Sequence, residues 1–84
     1  MSFGMAITLV RTAKGMGRKD VASAAGISYP YMAELENDAK EPSLRVLNKL
    51  SDALGMKVID LLSLGDDIKA GKDITIPAGT YRVA

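Results

Sequence analysis

The stretch GMGRKDVASAAGISYPYMAELEN, residues 15–37, decides the fold. It reads as two short helices joined by a tight turn at Ala25-Gly26-Ile27-Ser28. Gly26 takes a left-handed backbone without a Cβ penalty and so ends the first of them. Ser28 is a good N-cap for the second. Pro30 then falls in the opening turn of that helix, where its missing N–H costs nothing. Having no amide at Pro30 to bond, the Ser28 hydroxyl is left to cap Tyr31. The first of these helices runs from Arg18 to about Ala25, with Val21, Ala22 and Ala25 on one face at helical spacing. The second runs from Tyr29 to Glu36, with Met32 and Leu35 facing the core.

The flanking sequence extends this pair into a helical domain. A preceding helix from Met5 to Lys14 places Ile7, Val10 and Ala13 inward and stops at Gly15, and Met16 tucks back onto the core. After the polar loop 37–42, Pro42 disfavours helix at Glu41 and Ser43 caps a fourth helix, Leu44–Leu54. Its apolar face is Leu44, Leu47, Leu50 and Leu54 with Val46 and Ala53, and Gly55 ends it. A short fifth helix, Val58–Ser63, presents Ile59 and Leu61 or Leu62 inward. Composition shifts at Gly65, so residues 1–64 are expected to form one domain and 65–84 an extension. In the extension Ile74 and Ile76, then Tyr81 and Val83, alternate with polar residues around Pro77-Ala78-Gly79, the pattern of a β-hairpin. An isolated two-stranded hairpin is marginal. It is expected either to dock on its own helices or to pair with a second copy, where Leu61, Leu62, Ile74, Ile76, Tyr81 and Val83 form the dimerisation set.

Composition narrows the function. The chain of 84 residues has no Cys and no His, which removes disulfides, thiolate metal sites and the commonest general base and zinc ligand. No apolar run approaches a membrane span and no secretory signal opens the sequence, so a cytoplasmic location and no membrane partner are expected. Net charge is only +1, but it is unevenly placed. Residues 1–33 carry Arg11, Lys14, Arg18 and Lys19 against Asp20; residues 34–43 carry Glu34, Glu36, Asp38 and Glu41 against Lys40. Any anion-facing surface must be assembled locally. Asp66, Asp67 and Asp73 lack the further ligands of a cation site and read as a solvated loop. Gly15-Met16-Gly17-Arg18-Lys19 lacks the Gly-Lys-Ser/Thr ending of a phosphate loop. Glu34 and Glu36, two apart, point to different helix faces and cannot act as a dyad. No enzyme chemistry, metal or cofactor is expected. What remains is the pair of helices around a Gly-containing turn, the helix-turn-helix signature, whose second helix enters a DNA major groove.

On these residues the chain resembles the lambda-repressor-like (XRE-type) helix-turn-helix domains, from about Ile7 to Leu62. The matching pieces are Arg11, Val21-Ala22, Gly26-Ile27-Ser28, Tyr31-Met32, Leu35-Glu36-Asn37, Pro42-Ser43-Leu44, Leu50, Ala53-Leu54-Gly55 and Asp60-Leu61-Leu62. The resemblance implies an all-α, compact five-helix DNA-binding domain, to which the hairpin is added. It implies a dimeric regulator, repressor or autoregulator, on a two-fold symmetric double-stranded operator. It assigns base contacts to Ser28, Tyr29, Pro30, Ala33 and Glu34, and backbone contacts to Arg18, Lys19, Tyr31, Asn37, Lys40 and Ser43. Arg11 and Glu36 would form a structural ion pair.

The chain departs from the pattern on its recognition helix, which has no Arg, Lys, Gln or Asn before Asn37. Bidentate readout of guanine or adenine needs those types. Pro30, Ala33 and the Tyr rings can touch a thymine methyl, and Glu34 can accept from cytosine N4. An alternative therefore stands beside DNA binding: the fold serves as a protein-interaction module or antitoxin, with the Tyr29–Met32 face on a protein partner.

Overall fold

Most of the helix ends lie where local chemistry directs them. A computed structural model describes residues 3–71 together with the backbones of 74–76 and 79–81. Five helices follow one another: α1 Phe3–Ala13, α2 Arg18–Ala25, α3 Tyr29–Glu36, α4 Leu44–Leu54 and α5 Val58–Lys69. Gly26 and Gly55 end α2 and α4 in the left-handed conformation, both at φ 68°. Ser28 and Ser43 accept hydrogen bonds from the amides of Tyr31 and Val46, each at 3.2 Å, and so start α3 and α4. Gly17 has no side chain with which to cap α2, but its amide donates to Asp20 Oδ2 at 2.8 Å.

The inward faces meet in one core. Ile7 and Val10 from α1, Val21 from α2, Met32 from α3, Leu50 from α4 and Leu61 from α5 are all fully buried. Ala22 and Ala25 on α2 are also buried, and their small side chains allow neighbouring helices to approach closely. Met16 packs on the rim of this core from the connector before α2.

Three helix boundaries differ from the sequence reading, one of them, the end of α1 at Ala13 instead of Lys14, by a single residue. α1 starts at Phe3, two residues early, because Gly4 is part of its first turn. The Gly4 amide donates to Asp38 Oδ1 at 3.0 Å, and a Cβ there would meet the Glu36 carbonyl. Tertiary contact thus overrides a poor helix former. α5 runs past Ser63 to Lys69, with Gly65 buried inside it. Leu61, Leu64 and Ile68, all buried, carry its inward stripe on at three- and four-residue steps. Two residues expected inward are exposed: Leu44 at 68% and Ile59 at 64%. Leu44 sits at the first position of α4, beyond the reach of the core stripe Leu47, Leu50 and Leu54. Ile59 is two positions from buried Leu61, which puts it on another face of α5.

The expected fold class requires correction at its C-terminal end. The structure supports an all-α fold of five helices, and the β-hairpin expected to complete it is withdrawn as an element of that fold. Among the described residues the backbone pairing there comprises two three-residue segments, Ile74–Ile76 and Gly79–Tyr81, with Ile74 opposite Tyr81. A ladder that short has no independent stability. Among the described residues the buried core ends at Ile68. The expected turn residues Pro77 and Ala78, Val83, and the side chains of Ile74, Ile76 and Tyr81 lie outside the described residues.

Candidate nucleic-acid interface

α3 is divided lengthwise into a fixed side and a free side. Met32, Leu35 and Glu36 are buried. Tyr29 is 50% exposed, and Ser28 and Pro30 are exposed beside it, with Ala33 and Glu34 half-buried further along. This free side thus contains the five residues assigned to base contact. Its chemistry is apolar apart from Ser28, the Tyr29 hydroxyl and Glu34.

The fixed side is anchored by a polar cluster around Glu36, whose side chain is 1% exposed. Arg11 donates from Nε to both carboxylate oxygens at 3.1 Å and from Nη2 to Oε1 at 2.9 Å. Thr8 Oγ1 donates to Oε1 at 2.7 Å, and Arg18 Nε donates to Oε2 at 3.1 Å. Burial pushes the Glu36 carboxyl up, but hydrogen bonds from Arg11 and Thr8, the charge of Arg11 and the hydrogen bond from Arg18 outweigh it. The carboxyl is held below its ordinary range and stays ionised. One carboxylate facing two guanidiniums leaves the cluster with an excess of one positive charge. Helices α1, α2 and α3 are thereby locked at one point, which fixes the pose of α3.

Sequence reasoning paired Arg11 with Glu36 but missed Thr8 and the second guanidinium. Thr8 lies one turn before Arg11, and its single hydroxyl proton is shared between Glu36 Oε1 and the Gly4 carbonyl, which lies 2.8 Å away. Its three-residue spacing from Arg11 was the available signal. Arg18, assigned to backbone contact, lies at the start of α2 with its guanidinium carbon 6.0 Å from the Tyr29 ring centroid. The hydrogen bond and charge of Glu36 push its pKa further up, so it is cationic at any working pH.

The remaining assigned residues differ in exposure and in what they touch. Lys19 is exposed on the first turn of α2. Lys40 lies 3.3 Å from Glu34 Oε2, a solvent-facing pair that offsets the acidic charge on this side of α3. Asn37 is the exposed C-cap of α3, and Ser43, also exposed, caps α4. Tyr31 is half-buried and packs against the core. Of the expected dimerisation set, Leu61 is fully buried and has no surface to offer a second copy, whereas Leu62 is partly exposed.

Two short helices around a left-handed glycine, with the second held rigidly and its outer face open, define a helix-turn-helix domain. The family model of the Cro/C1-type HTH DNA-binding domain matches residues 7–67, and the chain belongs to that family. It is 43% identical over 53 residues to the HTH-type transcriptional regulator DdrOP3 of Deinococcus deserti, covering 63% of this chain and 41% of that protein. It is 33% identical over 58 residues to the immunity repressor protein of Bacillus phage phi105, covering 69% of this chain and 40% of that one. The matched segment thus spans about two fifths of the length of each of these two relatives. The crystal structure of the clp gene regulator ClgR from C. glutamicum superimposes with a TM-score of 0.70 at 35% identity, over 74% of this chain and 80% of that one. Among the described residues no helix is long and apolar enough to cross a membrane.

Proposed function

We propose that this protein is a sequence-specific DNA-binding transcription regulator that places α3 in the major groove. The observation that carries this reading is the division of α3. Its inner side is locked through Glu36 to α1 and α2, and its outer side is exposed, with Arg18 beside Tyr29 and Lys40 beside Glu34. In this reading Ser28, Tyr29, Pro30, Ala33 and Glu34 face base edges. Arg18, Lys19, Tyr31, Asn37, Lys40 and Ser43 follow the phosphates. With few bidentate donors on α3, affinity per monomer is modest, and a homodimer on a two-fold symmetric operator supplies the rest. Two recognition helices then sit about 34 Å apart, one turn of DNA. The related regulator and repressor proteins support repression by promoter occupancy as the mode of action.

Selection from a random duplex pool at low and moderate salt, with the full chain, tests this reading. Enrichment of a two-fold symmetric site is the expected result. Absence of binding at low salt would refute it and leave the Tyr29–Met32 face as a surface for a protein partner.

A further inference from the structure

Among the described residues, Arg18 links the buried carboxylate of Glu36 to the open face of α3. Its Nε is committed to Glu36 Oε2 at 3.1 Å, and its side chain is 31% exposed. The carboxylate that holds it is fixed in turn by Arg11 and Thr8. The head group of Arg18 therefore has a rigid support that a surface arginine ordinarily lacks. Over the Tyr29 ring it stands at the outer limit of a cation–π contact, 6.0 Å from the guanidinium carbon to the ring centroid, so the two side chains are neighbours on this face. Tyr29 opens α3 and is half exposed, so the core alone does not fix its ring. The Nε bond uses one of five guanidinium donors, and the Tyr29 side chain interacts with the same guanidinium; the remaining Nη donors are available to a phosphate.

We propose that Arg18 is a positioning residue for base readout: anchored by Glu36, it holds the Tyr29 ring against a thymine methyl in the major groove and so sets the preference at that base pair. This rests on the DNA-binding reading above. A lysine at this position keeps the charge for a phosphate but lacks the planar fork that Glu36 and the ring share. A role in phosphate contact alone is therefore separable from a positioning role.

The test replaces each thymine of the selected duplex in turn by uracil, which removes only the methyl group. Burying one methyl against the Tyr29 ring is worth about fourfold in affinity, so wild type should lose about that much at one thymine per half-site. Tyr29→Ala should lose the discrimination at that same thymine. Arg18→Lys should keep the salt dependence of binding yet lose most of the thymine–uracil discrimination there. Arg18→Lys that retains the full discrimination overturns the proposal, as does a wild-type protein indifferent to every uracil substitution. A wild-type chain that selects no DNA sequence fails the underlying reading as well. Selection of a site whose thymine preference is independent of Arg18 fails only the positioning role.

Discussion

Replacing Glu36 with Gln removes the charge at the junction of α1, α2 and α3 while nearly preserving shape. The carboxylate accepts from Arg11, Arg18 and Thr8. Removing one partner from a buried ion pair costs about 3–5 kcal/mol. Two features reduce this cost here. The Arg11 and Arg18 side chains remain 17% and 31% exposed and keep some water, and Gln retains one carbonyl acceptor. The expected loss is about 2–3 kcal/mol, a large part of the stability of a domain this size. It corresponds to a fall in Tm of about 8–24 °C at neutral pH, measured by helical circular dichroism. The effect depends on pH in a defined direction. The folded-state pKa of Glu36 is depressed, so its contribution is complete above the unfolded carboxyl value, about 4.3, and is lost as pH falls through the folded value. The gap between wild type and Glu36→Gln should therefore narrow below about pH 4, and the variant should have the flatter acid limb. A Tm within about 2 °C of wild type at pH 7, or a gap that stays constant from pH 7 to pH 3, would refute the reasoning.

Three further substitutions probe the same framework by urea unfolding. Gly4→Ala places a methyl group against the Glu36 carbonyl and should destabilise by about 1–3 kcal/mol, although alanine is the better helix former; a stabilised variant would show that α1 does not rest on the end of α3. Ser28→Ala removes the cap on the Tyr31 amide and should cost about 1 kcal/mol, with an unchanged midpoint counting against that cap. Leu50→Ala empties a fully buried site under α4 and should cost about 2–5 kcal/mol; a loss under 1 kcal/mol would place Leu50 outside the core.

The parts of the fold that were legible in sequence are those set by local rules. Gly26, Ser28 and Pro30 define the turn and the start of α3 through backbone preference and capping, and Ser43 and Gly55 do the same for α4. The misread parts depend on contacts between distant segments. Gly4 looks like a poor helix residue until the end of α3 lies against it. Gly65 looks like a stop until Leu64 and Ile68 are seen to be buried on either side of it. Leu44 and Ile59 fit apolar patterns, but Leu44 lies at the end of α4 beyond the core and Ile59 on a face of α5 turned away from it. The candidate site shows the same division. Exposure of Tyr29 and Pro30 follows from the inward spacing of Met32 and Leu35. The sharing of Glu36 by two arginines requires α1 and α2 to converge on one carboxylate, which no single-segment pattern reveals.

The most direct test of the central claim is an amide NMR titration of the full chain with the duplex enriched by selection. Shifts confined to residues 18–19, 28–34, 37, 40 and 43, with α1 and the outer face of α5 unaffected at saturating DNA, are the predicted result. Shifts centred on α5, or none along α3, would contradict the placement of α3 in the groove.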